Sequence, residues 1–175
     1  MTVAYITGWR IAAELLPLQW RQVDFKAGPL RLEPGTTKNK DGRMFAMTPD
    51  LRRVLEEQRA ATEALQRRSG RIIPHVFHRR GKPIKDFRKS WETACGLAGS
   101  PGRIPHDFRR TAVRNLERAG VSRSAAVKMV GHKTESVYKR YAIVSESDIR
   151  EAAEKLARLD ARQSLGQSGQ KSSAL

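Results

Sequence analysis

The sequence predicts a mainly helical α+β domain with a small three-stranded antiparallel sheet. Its 175 residues are enough for one domain with a hydrophobic core. Apolar residues make up 39% of the chain and recur mostly at helical spacing, which argues against disorder of the whole chain. Only three short stretches near the N-terminus alternate polar and apolar residues, as strands of a half-buried sheet do.

The first elements precede residue 48. Residues Gly8–Leu16 carry apolar side chains at helical spacing before Pro17, which predicts a short amphipathic helix ended by proline. A basic hairpin, Thr36–Arg43, is expected at one end of the sheet. The three predicted strands, separated by Gly/Pro or Asn/Asp/Gly breaks, are Gln22–Phe25, Leu30–Glu33 and Arg43–Met47.

The rest of the chain is predicted to be mostly helical. Thr48 followed by Pro49 is a helix-start signal, and the apolar positions that follow predict a helix up to Ser69 and Gly70. Residues 162–175 are rich in Ser, Gln and Gly, and we expect them to be disordered. The other predicted helices are Ile84–Leu97, His106–Ala119, Ser122–Val130, Glu135–Tyr141 and Ser145–Leu159.

The charge of the chain indicates a polyanionic partner. Lys and Arg number 34 and Asp and Glu 18, so the formal net charge is +16. The apolar runs are too short to span a bilayer and no secretory signal pattern follows Met1, so we expect no membrane partner and a cytoplasmic location. The single cysteine, Cys95, excludes an internal disulfide and a cysteine-based zinc cluster, which fits a reducing compartment.

The residues that carry chemistry lie in separate segments. His106 and Arg109 are three residues apart on a predicted helix, so they share a face and can meet one phosphate together. The other segments are Thr7–Leu16 with Arg10, Thr37–Arg43 with Lys38, the pair Gly131 and His132, and Tyr141, nine residues after His132.

Together these motifs resemble the catalytic domain of the tyrosine recombinases, the phage-integrase and Xer-type family of site-specific DNA recombinases. The resemblance runs from about Thr7 to Val144. It implies that the chain cleaves and rejoins double-stranded DNA through a 3′-phosphotyrosyl intermediate, with no metal, ATP or other cofactor. The implied catalytic residues are Arg10, Lys38, His106, Arg109, His132 and Tyr141, and the family's glutamate corresponds to Glu14.

The chemistry of these residue types fits the implied roles. A phenol stays protonated at neutral pH, so a site that uses Tyr141 as nucleophile must remove its proton, and His106 is the candidate acceptor. The planar guanidiniums of Arg10 and Arg109 can each give two fixed donors to the phosphate oxygens, and His132 is a further donor. Lys38 could protonate the departing 5′ oxygen as a general acid.

The resemblance also implies a domain organisation and an assembly. We expect residues 1–161 to form the catalytic domain of a bacterial or phage-encoded protein. Members of the family usually carry an N-terminal core-binding domain, and because Met1 lies nine residues before Arg10 we expect that domain to be absent. Four protomers are implied on two DNA sites. We expect the isolated chain to be monomeric and to bind DNA weakly, with strong salt dependence.

Four alternatives remain open from the sequence alone: two concern single residues and two concern the function. Lys40 competes with Lys38 as the hairpin lysine, and Tyr138 competes with Tyr141 as the nucleophile. Residues Ser122–Tyr141 also look like a helix-turn-helix, which would suit a module that only binds duplex DNA. The fourth alternative is an enzyme similar to the type IB topoisomerases, which shares the phosphotyrosine chemistry and acts alone.

Overall fold

The structure is a computed structural model that describes residues 1–35, 41–141, 146 and 149–158. The chain divides into two compact units, Met1–Ala142 and Ile143–Leu175. In the second unit, residues 149–158 are helical, in agreement with the central part of the helix predicted over Ser145–Leu159. The expected disordered tail at 162–175 lies outside the described residues, as does the tip of the hairpin at 36–40.

The first unit begins with a helix that the sequence did not predict, α1 (Thr2–Thr7). Gly8 ends it, because its left-handed conformation (φ +66°) lets its amide close the helix on the carbonyl of Ala4 at 2.9 Å. The predicted helix over Gly8–Leu16 was therefore wrong at its start. What remains of it is a short π-helical turn, Ile11–Leu15, just before Pro17.

The main sheet has two strands where three were predicted. Strands β1 (Pro29–Leu32) and β2 (Arg43–Ala46) pair antiparallel with Leu32 opposite Arg43. The predicted first strand is reduced to a single bridge between Val23 and Leu30. The reason is Asp24, whose carboxylate accepts the amides of the next turn and bends the chain away after Val23.

A second small hairpin, which the sequence reading missed, follows the long helix α2. Its strands β3 (His78–Arg79) and β4 (Lys82–Pro83) are two residues each, too short for an alternating pattern to be visible. The mainly helical α+β class is therefore correct, with two two-stranded sheets in place of one three-stranded sheet.

Five further helices complete the first unit. Thr48 caps the first of them, with its hydroxyl accepting the Leu51 amide at 3.3 Å, as the helix-start signal predicted. The helix predicted over Ile84–Leu97 begins later, at Arg88, whose amide donates to the carboxylate of Asp86. No helix within the described residues is long and apolar enough to span a membrane. The helices are α2 (Pro49–Ser69), α3 (Arg88–Leu97), α4 (Asp107–Arg118), α5 (Arg123–Val130) and α6 (Glu135–Lys139).

Two apolar clusters form the core of the first unit and meet along α4. The larger cluster packs α1, the sheet and α2 around Trp9, Phe45 and Leu51. The smaller one packs α4, α5 and α6 around Val113 and Tyr138. The Trp9 indole N–H donates to the carbonyl of Met129 at 2.9 Å and so links the chain after α1 to the end of α5. This packing brings the C-terminal ends of α1 and α5 together beside the first turn of α4.

Candidate active site

Arg109, near the start of α4, lies where the ends of two other helices meet. Its Nη1 donates to the carbonyl of Gly8 at 2.9 Å, and its Nη2 donates to the carbonyl of Gly131 at 3.3 Å. These glycines end α1 and α5, and the last carbonyls of a helix have no partner inside the helix. A guanidinium satisfies them well, because the C-terminal end of a helix carries partial negative charge.

The guanidinium of Arg109 also organises His132. Its Nε donates to Nε2 of His132 at 3.0 Å. A guanidinium has five N–H groups, and these three bonds leave two without an acceptor among the described residues. Burial, followed by the charge of Arg10, lowers the pKa of Arg109 to about 10, so the side chain remains a cation at neutral pH.

His132 is held as a neutral ring. Because its Nε2 accepts from Arg109, the proton of the neutral imidazole is on Nδ1, which has no hydrogen-bond partner among the described residues. Burial lowers the pKa of His132 to about 3, with the charges of Arg109, Arg10 and Arg43 acting in the same direction. The imidazole stacks on the ring of Tyr141 with centroids 4.8 Å apart and planes 18° apart.

Tyr141 meets the second histidine of the site. Its hydroxyl lies 2.9 Å from Nε2 of His106, which immediately precedes α4. Burial lowers the pKa of His106, and the nearby charges of Arg109 and Arg10 lower it further. A neutral His106 can accept a proton from the phenol at this distance.

Tyr138, the alternative nucleophile, has a different environment. Its side chain is fully buried in the smaller apolar cluster, beside Val113 and Val130. Burial and the carboxylate of Glu117 raise the pKa of Tyr138 well above the usual value for a phenol. Both effects disfavour the phenolate, whereas Tyr141 is only half-buried and has a base at hydrogen-bond distance.

Arg10 is held by Glu14. The Glu14 carboxylate accepts the backbone amide of Arg10 at 2.7 Å and its Nη1 at 3.2 Å, because the π-helical turn brings residue 14 back beneath residue 10. Glu14 is fully buried, while the side chain of Arg10 keeps 30% of its surface exposed. Arg10 thus belongs to the same charged cluster, since its charge acts on both histidines and on Arg109.

Arg43 is a site residue that the sequence reading missed. Its side chain is 3% exposed, and its Nη1 lies 3.0 Å from Oε1 of Glu14 and 3.1 Å from the carbonyl of Val130. The signal was present in the alternation of β2, since Arg43 is in phase with the buried Phe45 and both must face the core. The carboxylate that Arg43 pairs with belongs to Glu14, 29 positions away in the sequence, and no local pattern connects these two residues.

Residues 1–148 match the model of the phage integrase family. The chain belongs to this family. The resemblance to the tyrosine recombinases is thereby confirmed, while no curated protein sequence matches the chain.

The chain has the same fold as solved structures of other recombinases. It is similar to XerA recombinase, with 19% identity over 87% of this chain and 55% of that one (TM-score 0.70). It is also similar to XerH recombinase in a post-cleavage complex with difH substrate (16% identity, 86% and 43%, TM-score 0.64). A lambda integrase dimer bound to a COC′ core site gives 17% identity over 81% and 50% (TM-score 0.60). The chain spans about half the length of these structures.

The structure brings together five of the six site residues predicted for this integrase-family chain. Contacts join Arg109 to His132, His132 to Tyr141 and Tyr141 to His106, and the charge of Arg10 acts on Arg109 and on both histidines. The sixth, Lys38, and its competitor Lys40 lie outside the described residues. The catalytic roles of all six stay predictions.

Proposed function

We propose that this chain cleaves and rejoins DNA strands by transferring a DNA phosphate to Tyr141 and back to a DNA hydroxyl. The observation that carries the proposal is the 2.9 Å contact between the Tyr141 hydroxyl and Nε2 of His106, close to the guanidiniums of Arg109 and Arg10. Family membership supports DNA as the substrate, as do the DNA-bound structures of XerH and lambda integrase.

The first step would convert a phosphodiester into a phosphotyrosyl ester. The hydroxyl oxygen of Tyr141 attacks phosphorus while its proton passes to neutral His106. The bond from phosphorus to the 5′ oxygen breaks, and that oxygen takes a proton from a general acid. Lys38 is our candidate for this acid. The products are a 3′-phosphotyrosyl strand and a free 5′-hydroxyl.

The arginines would stabilise the charge that spreads over the non-bridging oxygens during this step. Arg109 is fixed by its three protein acceptors and retains two N–H groups for a phosphate. Arg10 is fixed on one side by Glu14 and remains partly exposed on the other. Such donors do not need to reorganise during the reaction, and removing one typically costs about 10²- to 10³-fold in rate.

Rejoining would reverse these bonds without an energy source. The phosphotyrosyl ester keeps the bond energy of the broken phosphodiester, so attack by a 5′-hydroxyl reseals a strand and returns the proton to Tyr141. We therefore expect activity in EDTA and without ATP. Exchange between two duplexes would need several active sites, and the family resemblance supports four protomers on two DNA sites.

The rival helix-turn-helix function is supported less well. In the described residues α6 has five residues, and its Tyr138 packs inward against α4 and α5. A module that only binds DNA also has no use for the contact between His106 and Tyr141. A topoisomerase-like activity shares the same chemistry, and it would appear as relaxation of a supercoiled plasmid without joining of two different duplexes.

The test is the formation of a covalent adduct. The probe is a pool of labelled duplexes, each with one nick in a randomised region, so that the short strand bearing the new 5′-hydroxyl diffuses away and traps the adduct. A denaturing gel should show the adduct for the wild type and for the control variant Tyr138→Phe, and none for Tyr141→Phe. An adduct that persists in Tyr141→Phe and is lost in Tyr138→Phe would move the nucleophile. No adduct from any of the three proteins would favour the binding module.

A further inference from the structure

We propose that Arg43 is a positioning residue of the phosphate site, which acts by holding Glu14 and the end of α5 so that Arg10 and His132 serve the same phosphate. The inference rests on the proposed function. Arg43 is the first residue of β2, where it is in phase with the buried Phe45, and the sequence alone does not reveal which residues it contacts.

The burial of Arg43 shows that it does not touch DNA itself. Only 3% of its side chain is exposed, against 30% for Arg10. A guanidinium is normally found on the surface, and burying one is unfavourable unless acceptors replace the lost water. A buried position also removes it from direct contact with a substrate as large as a duplex. Any effect on the reaction must therefore pass through the residues that it touches.

The contacts of Arg43 connect two parts of the site. Its Nη1 lies 3.0 Å from Oε1 of Glu14, the same oxygen that accepts from Nη1 of Arg10 at 3.2 Å. It also donates to the carbonyl of Val130 at 3.1 Å, two residues before His132. One side chain thus fixes the carboxylate that holds Arg10 and the helix end that carries His132.

Gly131 makes this close approach possible. A Cβ at this position would collide with the guanidinium of Arg43, so the helix end and the arginine can meet only over a glycine. Gly131 is also in the left-handed conformation (φ +70°), and its carbonyl accepts from Arg109. Both Arg43 and Arg109 therefore lie next to the same glycine.

Charge balance explains how Arg43 would affect Arg10. Glu14 is fully buried and carries one charge, shared between two guanidiniums. Without Arg43, Arg10 would be the remaining cationic partner of Glu14 among the described residues, and attraction would draw its guanidinium toward both carboxylate oxygens. Fewer of its N–H groups would then face a phosphate. Arg43 leaves the trio with a net positive charge and leaves Arg10 free to bind an anion.

The experiment compares two duplexes that share one sequence, chosen from those recovered as adducts in the pool, and that differ only in the scissile linkage. One duplex carries the normal scissile phosphate, and the other carries a methylphosphonate, in which a methyl group replaces one charged oxygen. The neutral linkage depends less on a correctly placed guanidinium, so the variant Arg10→Ala should recover part of its activity on it. The variants are Arg43→Met and Arg43→Lys. The matched control is Arg31→Met, which removes an exposed arginine from the opposite face of the same sheet.

We expect Arg43→Met to form the adduct about 10²-fold more slowly than the wild type on the phosphate, because a small misplacement of a catalytic group has a cost of that size. On the methylphosphonate the loss should shrink below about tenfold, since less charge must be stabilised. Arg43→Lys keeps the charge but lacks the planar fork, so it should fall between Arg43→Met and the wild type. Arg31→Met should match the wild type on both linkages.

The ratio of the two rates does not depend on how much of a variant is folded. An equal loss on both linkages would mean that Arg43 is only structural and would overturn the inference. Wild-type rates for Arg43→Met would overturn it as well and leave the proposed function intact. If Arg43→Met does not fold, the ratio for Arg43→Lys decides, and a ratio equal to that of the wild type counts against us. Failure of the wild type to form any adduct would instead refute the proposed function.

Discussion

Buried residues of the site are paired in ways that a motif does not reveal. The sequence predicted that His106 and Arg109 share a helix face and that His132 and Tyr141 belong with them, and the structure brings all four together. The sequence could not predict which ring nitrogen of His132 faces Arg109. That choice depends on Gly8 and Gly131 carbonyls from two other helices, which fix the guanidinium first.

The neutral state of His132 should make the folded protein sensitive to acid. Its pKa is about 3 when folded and near 6.5 in an unfolded chain, so on acidification the unfolded state takes up a proton first. The contribution of the neutral His132 to the free energy of unfolding is fully present above about pH 6.5 and is lost progressively as the pH falls toward 3. We predict that the free energy of unfolding falls over this window, by up to about 1.4 kcal/mol per pH unit from this one proton.

The measurement is urea denaturation of the wild type and of His132→Gln across the same pH series. Gln can still accept a hydrogen bond from Arg109 but does not titrate, so its stability curve should be flatter by the slope of one proton. Other titrating groups cancel in the difference between the two proteins. Parallel curves for the two proteins would show that His132 is not held neutral by the fold.

Helix ends were the most predictable elements of the fold, where their signals are local. Thr48, Pro49 and Gly70 correctly bounded α2, because capping uses a side chain a few residues away. α1 was missed because six residues give little periodicity, and its stability comes from packing on α4. The predicted strand at Val23 failed because the turn around Asp24 competes with pairing. Local sequence signals thus predict the helices and strands, whereas the tertiary contacts between them cannot be predicted from the sequence.

Two glycines that follow helices allow a matched test of the close approach to Arg43. Gly120 and Gly131 both have φ +70°, but a Cβ at Gly120 would meet open space, whereas one at Gly131 would meet the guanidinium of Arg43. Gly120→Ala should cost about 1 to 2 kcal/mol of stability for the left-handed backbone. Gly131→Ala should lose that plus about 1 to 3 kcal/mol for overpacking.

Urea denaturation of the two variants at one pH measures both losses. The difference between them isolates the collision, since the backbone cost is common to both. In a Gly131→Ala background, Arg43→Lys should recover part of the extra stability that Gly131→Ala loses relative to Gly120→Ala. The reason is that an ammonium group is smaller than a guanidinium and leaves space for the new methyl group. Equal losses for Gly120→Ala and Gly131→Ala would mean that Arg43 moves aside at little cost.

The whole molecule carries a large and uneven positive charge. Residues 67–89 hold nine basic residues against one acidic residue, and the net charge of the chain is +16. The acidic residues of α2 pair with arginines of the same helix, such as Glu56 with Arg52 and Glu57 with Arg53. With five basic and four acidic residues, α2 is nearly balanced, so most of the excess positive charge lies outside it, where it can meet phosphates.

Duplex DNA binding by this chain should be dominated by that charge. We predict that the Kd for a random-sequence duplex rises at least about tenfold between about 50 and 200 mM salt, because each neutralised phosphate releases a counterion. Fluorescence anisotropy at several salt concentrations gives the slope. Tyr141→Phe should keep the same slope, since the lost hydroxyl carries no charge. A Kd that is independent of salt would contradict an electrostatic interface.

The shortness of α6 has a consequence for the position of the Tyr141 hydroxyl. Five residues cannot form a stable helix in water by themselves, so the element persists only because Thr134 caps it and Tyr138 is sunk into the apolar cluster. The position of the Tyr141 phenol, three residues later, thus depends on the packing of Tyr138. Substitutions in the apolar pocket around Tyr138 should therefore shift the hydroxyl of Tyr141, the proposed nucleophile, without altering any group proposed to bind the phosphate.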